Sequence, residues 1–243
     1  MLPNALTLLN LFCGCCALVS IFSMDFRSAI LCVAASAVLD FADGMAARLL
    51  KVHSEIGKQL DSLADMVSFG VVPSAVVYML LAARADVNIY NDSVFMSRVN
   101  IAGLPAFLIA VASCYRLAKF NLDTRQTTNF IGLATPANTL FFVGLLLILL
   151  NNAPFGGWER ILFEPIVLYV LTVIFSFLLI SEIPMFSLKI KNFEWKGNEN
   201  RYIFLVLSLI LLLILRGAAS FFYYDCLCLI NVFGYLLGRK KTA

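Results

Sequence analysis

Long apolar runs recur along the whole chain, each close to the length of a helix that crosses a bilayer. Segments 5–22, 28–48, 63–83, 101–118, 135–151, 162–181, 202–217 and 219–237 are dominated by Leu, Ile, Val, Phe and Ala. A helix rising 1.5 Å per residue needs about 20 residues to span the hydrocarbon core, so the pattern predicts an all-α integral membrane protein, a polytopic helical bundle. Several runs fall short of that length, which implies helices that extend through polar residues into the interface. The last two runs meet at Arg216-Gly217 and read as a tight pair. No tandem repeat or low-complexity tract is present, and the polar stretch KIKNFEWKGNENR, Lys189–Arg201, reads as a connecting loop with Pro184 before it and Gly197 within it.

Composition agrees with the pattern. Of 243 residues, 61% are hydrophobic and 14% charged, against about 45–50% and about 25% in soluble domains. The net charge of +3 is too small to point to nucleic acid, but its distribution orients the bundle. With the N-terminus in the cytoplasm, 13 of the 18 Lys and Arg residues lie on the cytoplasmic side, and Arg27, Arg84, Arg98, Arg160 and Arg216 on the other. Seven cysteines (13, 15, 16, 32, 114, 226 and 228) sit mostly in apolar runs with no C-x-x-C pair, so they read as small packing residues. The start, Met-Leu-Pro-Asn, lacks the basic region of a signal peptide, and the first run reads as a retained helix.

One stretch breaks the apolar pattern. In LDFADGMAARLLKVHSEIGKQLDSLADMVSFG, Leu39–Gly70, four aspartates fall beside or within apolar runs. Asp40 and Asp43 are three apart near the end of the second span; Asp61 and Asp65 are four apart at the start of the third. Both spacings put the pair on one helix face. Gly44 and Gly57 are read as bracketing the turn, and Ala46 and Ala47 as allowing close approach. Four converging carboxylates repel unless something compensates them, and a divalent cation does so. Oxygen ligands favour Mg²⁺, Mn²⁺ or Ca²⁺ over zinc, and neither His53 nor the cysteines fall at ligand spacing. Four carboxylates suffice for two ions, the arrangement that clamps phosphoryl groups. The plain alternative for any one of them is a solvated loop aspartate, and His53 reads as a solvated loop residue.

The run Asp40-x2-Asp43-Gly44-x2-Ala47-Arg48-x8-Gly57-x3-Asp61-x3-Asp65 resembles the motif of the CDP-alcohol phosphatidyltransferases at all eight positions. The resemblance implies a six-helix core over about residues 1–181, with 182–201 a cytoplasmic loop and 202–243 an added helix pair and basic tail. It further implies that Asp40, Asp43 and Asp61 ligate one ion and Asp40, Asp61 and Asp65 a second, Mg²⁺ or Mn²⁺. Asp65 would also take the proton from the attacking hydroxyl. Gly44, Ala47, Arg48, Ser54 and Gly57 would contact CDP-diacylglycerol. PNALTLLNLFCG is similar to the family's N-terminal stretch, where Asn4 and Thr7 would touch the nucleotide; an Asn there is equally a helix cap. The resemblance implies a homodimer among membrane lipids, and the Lys and Arg distribution puts the aspartate stretch at the cytoplasmic face of the cytoplasmic membrane.

Three further stretches, DMVSFGVVPS (Asp65–Ser74), YRLAKFNLD (Tyr115–Asp123) and FIGLATPAN (Phe130–Asn138), are similar to the phosphatidylserine synthase branch. That implies L-serine as acceptor and CMP as the product released. Arg116 would hold the serine carboxylate bidentately, with Lys119, Asn121 and Thr135 as further contacts; as plain residues, Arg116 and Lys119 read as positive-inside anchors. Glycerol 3-phosphate or inositol is the competing acceptor, since Arg116, Lys119 and Arg125 would also suit a phosphate. An ion-coupled transporter is the reading from another class. It predicts polar residues at the midplane of several helices, whereas the carboxylates cluster at one end of two.

Overall fold

A computed structural model of the chain describes residues 2–52, 54–85, 99–122, 130–152 and 159–185. The predicted spans 202–217 and 219–237, the loop from residue 186 onward, His53 and Arg125 lie outside the described residues.

Helix α1 (Leu2–Phe22) and helix α2 (Phe26–Leu49) form a long antiparallel pair. The turn between them is tight because Met24 takes a left-handed backbone (φ 59°) and Asp25 caps α2, its Oδ1 accepting from Ser28 N–H at 3.2 Å. At the other end α2 unwinds through Lys51, also left-handed (φ 52°). Ser54 then caps α3 (Glu55–Asp65), accepting from Gly57 N–H at 3.1 Å. The rod continues through a π turn (Met66–Val71) into α4 (Val72–Ala85).

Here the structure corrects two expectations. The third rod starts at Glu55, eight residues before the apolar run, because a Ser cap and an amphipathic first stretch support helix outside the hydrocarbon. Gly44 and Gly57 therefore lie inside α2 and α3 rather than bracketing the turn, since α2 runs to Leu49 and α3 begins at Glu55.

A 3₁₀ segment (Ile101–Phe107) leads into α5 (Leu108–Leu122). Pro105 has no N–H to give, and Gly103 abuts the Tyr78 ring so closely that a Cβ there would lie 2.7 Å from it. A two-residue strand β1 (Phe130–Ile131) precedes α6 (Thr135–Asn152), the short α7 (Glu159–Leu162) and α8 (Pro165–Ile180); β2 (Pro184–Met185) pairs antiparallel with β1. Four helical rods are long and apolar enough to cross a membrane, Leu2–Phe22, Phe26–Leu49, Glu55–Ala83 and Ile101–Leu122; Thr135–Leu150 and Pro165–Ile180 are shorter apolar helices. The protein is thus an all-α polytopic membrane protein with six main rods among its described residues.

The apolar core lies away from the aspartates. It joins Ala17 and Ile21 of α1 and Ala29 and Val33 of α2 to α4, α6 and α8. Phe142 stands edge-on to Phe141 and Phe175, which stack at 4.3 Å. Exposed Leu, Val and Phe side chains such as Leu31, Val38 and Phe41 of α2 face outward, as the lipid-facing side of a membrane helix does.

Candidate active site

The end of α2, the start of α3 and the N-terminus of α1 come together at one end of the bundle. Asp40 from α2 and Asp61 and Asp65 from α3 offer carboxylate oxygens that all lie within 4.8 Å of one another. Asp40 and Asp65 are within hydrogen-bonding reach, and Asp65 Oδ1 is buried with no hydrogen-bond partner. Three hard oxygen donors that crowd together, one of them unsatisfied, fit a divalent cation.

Asp43 stands apart from these three. It is 5% exposed, and its Oδ2 accepts from Thr7 Oγ1 at 2.6 Å, so α1 and α2 are joined at the residue expected to complete the carboxylate set. Asp43 and Asp61 together line a cavity of about 550 Å³. Its wall also holds Asn4, Thr7, Gly44, Ala47, Ser54 and Gly57, so the residues expected at the nucleotide converge on one space. Gly44 is open on this side, with only the Arg48 guanidinium within 3.9 Å of an added Cβ. Arg48 is exposed and donates from Nε to its own helix at Gly44 O, 2.9 Å. Gly57 lies against Asn4, where a Cβ would come within 3.1 Å of Asn4 Oδ1. Ser54 serves both as helix cap and as cavity wall.

The residues expected around the acceptor are divided. Arg116 of α5 is within electrostatic reach of Asp65, and its Nε is buried without a hydrogen-bond partner. Thr135 is buried at the start of α6. Lys119 instead pairs with Glu182 at 2.7 Å, and Asn121 donates from Nδ2 to Ser62 Oγ at 2.7 Å. Lys58, which the spacing argument passed over, lines the cavity and donates to Asn121 O at 2.6 Å. Together these bonds lace α3 to the end of α5. Nothing in the spacing along one helix announces a bond to another 63 positions away.

The sequence model of the CDP-alcohol phosphatidyltransferases matches residues 1–178. The chain belongs to this family. CDP-alcohol phosphatidyltransferases use a divalent metal, consistent with the donor set at Asp40, Asp61 and Asp65. The family member is 32% identical over 200 residues to the CDP-diacylglycerol–serine O-phosphatidyltransferase of Bacillus subtilis (strain 168), covering 82% of this chain and 94% of that one. It is 36% identical over 152 residues to the enzyme of the same name from Helicobacter pylori (strain J99), covering 62% and 58% of the two chains. The enzyme so named from Mycobacterium bovis is 31% identical over 191 residues, covering 76% and 60%. The match thus spans nearly the whole Bacillus relative and about three fifths of the other two.

Proposed function

We propose that this phosphatidyltransferase transfers the phosphatidyl group of CDP-diacylglycerol to the hydroxyl of L-serine, releasing CMP. The reading rests on one juxtaposition: the close carboxylates of Asp40, Asp61 and Asp65 adjoin a cavity walled by Asp43, Gly44, Ala47 and Gly57 of the same motif. The names borne by the relatives support serine as acceptor.

In this reading Asp40, Asp43, Asp61 and Asp65 hold two divalent ions, Mg²⁺ or Mn²⁺. When bound, such ions neutralise phosphate charge and so lower repulsion toward the nucleophile. The chain's own residues do the rest. Asn4, Thr7, Gly44, Ala47, Ser54 and Gly57 seat the nucleotide, and Arg48 turns its guanidinium to the phosphates. Thr7 has a second task, since its hydroxyl holds Asp43 in place. Asp65 accepts the serine hydroxyl proton as that oxygen bonds to the phosphorus carrying diacylglycerol. The bond from this phosphorus to the CMP oxygen breaks, and CMP departs with the electron pair. Arg116 pairs with the serine carboxylate, which would satisfy its buried Nε.

The positive-inside bias supports an active site on the cytoplasmic face of the cytoplasmic membrane, and a homodimer among membrane lipids is the expected assembly. Purified protein given CDP-diacylglycerol and, separately, labelled serine, glycerol 3-phosphate and inositol provides the test. Labelled lipid and stoichiometric CMP are expected from serine alone; label from another acceptor without serine incorporation overturns the proposal.

A further inference from the structure

The rod carrying Asp61 and Asp65 changes its winding immediately after Asp65. From Met66 to Val71 it widens into a π turn, with Val72 N–H bonded five residues back to Val67 O. The cause is legible in the chain. In an α-helix Phe69 C=O would bond to the N–H of residue 73, but that residue is Pro73, which has no N–H and whose ring crowds the carbonyl four back. Accommodating one extra residue rotates everything beyond it by about 100° relative to an uninterrupted helix.

Two neighbouring rods grip the turn. Thr139 Oγ1 of α6 lies 3.0 Å from Phe69 O, the carbonyl that Pro73 cannot serve, and 3.0 Å from Thr135 O of its own helix. Ser68 Oγ donates to Asn10 O of α1 at 3.2 Å, in a notch left by Gly14, where any Cβ would collide with the Ser68 hydroxyl. Thr139, Phe69 and Ser68 are all fully buried. Asp65 Oδ1, in contrast, has no hydrogen-bond partner, and the carboxylate's hydrogen-bonding reach is to Asp40, a member of the same cluster. The placement of that carboxylate against Asp40 depends on the backbone that carries it, and the buried turn begins at the next residue.

We propose that Thr139 is a positioning residue. Its hydroxyl holds the Pro73-induced π turn in register, and the register aims Asp65 at Asp40 and Asp61. The proposal rests on Asp65 acting as metal ligand and base. Removing a direct outer partner of a metal ligand typically costs about 10–100-fold in metal affinity or activity, and Thr139, which acts through the backbone at Phe69, is expected at the lower end of that range.

The test uses the full-length purified protein, with Mn²⁺ binding followed by electron paramagnetic resonance beside steady-state kinetics. Thr139→Val should weaken Mn²⁺ binding and lower kcat, each roughly 10-fold, with KM for CDP-diacylglycerol unchanged. Thr139→Ser, which keeps the hydroxyl, should bind Mn²⁺ as the parent does. Pro73→Ala restores the N–H and removes the cause of the π turn, so it should lose Mn²⁺ affinity; it also serves where Thr139→Val does not fold. Unchanged Mn²⁺ binding and kcat in Thr139→Val or Pro73→Ala overturns the proposal, as does a Thr139→Ser variant as defective as Thr139→Val. Asp65→Asn separates the two levels. If it binds Mn²⁺ like the parent, Asp65 is no ligand and the underlying reading fails too; if it loses binding while both other variants keep it, only the positioning role fails.

Discussion

The third membrane rod has two halves that differ in almost every respect. Glu55–Asp65 buries only Ala64 completely and carries two of the clustered carboxylates. Val72–Ala85 has Val72, Ala75, Val76 and Val77 at most 1% exposed and reaches the centre of the apolar core. One half is little buried and crowds like charges at one end of the bundle; the other packs into the core. The difference teaches that stability and chemistry are separable along a single helix, with the π turn as the joint.

The strongest challenge to that division is Asp65→Asn. As loss of a general base and ligand it should lower turnover by about 10²–10⁴-fold, measured as CMP release. Melting temperature in metal-free detergent should stay level or rise, because a repulsive charge is gone. A parallel loss of stability would mean the carboxylate cluster is structural after all.

Phe142→Ala probes the other side. In a water-soluble core the cost is about 3–5 kcal/mol. Lipid is itself apolar, so mainly the packing part remains, and about 2–3 kcal/mol is expected from thermal unfolding. KM for CDP-diacylglycerol should hold in the folded fraction, and a shift in KM would show that the halves communicate.

Gly132→Ala is a smaller and more local test. Gly132 has a left-handed backbone (φ 74°), its N–H bonds to Ile183 O, and an added Cβ would lie 2.8 Å from Ser181 O. A non-glycine residue there should destabilise the strap over the end of α8 by about 1–3 kcal/mol, read as faster proteolysis between β1 and α6.

The smallest effect concerns Asp25, remote from the site. Hydrogen bonds from Ser28 hold its carboxyl below the usual carboxylate range. A depressed folded value contributes stability above the unfolded pKa, and that contribution disappears as pH falls through the folded value. Asp25→Ala should therefore flatten the acid side of the melting curve near pH 4 while leaving neutral-pH activity unchanged. An unaltered acid limb would remove the cap from the account.

Much of this molecule was legible from one dimension. Apolar runs near the span length foretold the rods, and spacings of three and four put each carboxylate pair on one face, because helical periodicity is a local property. The motif's glycines, Ala47 and Ser54 were also legible as a group, although their role as parts of helices rather than of a turn was not. Ser54 shows why: a cap can extend a helix beyond the apolar run that reveals it.

What the sequence determined alone was the solvent, the rods that the structure describes, and the motif residues that gather at one end of the bundle. Pro73 also stands in plain view in the chain, although its effect on the winding before it became visible only in the structure. Only the tertiary structure decided which atoms meet. It brought Asp40 to Asp61 and Asp65 while tying Asp43 to Thr7, turned Lys119 to Glu182, and set Thr139 Oγ1 beside Phe69 O. Those pairings join separate rods, and their register follows from how whole helix faces pack, which no spacing along one helix contains.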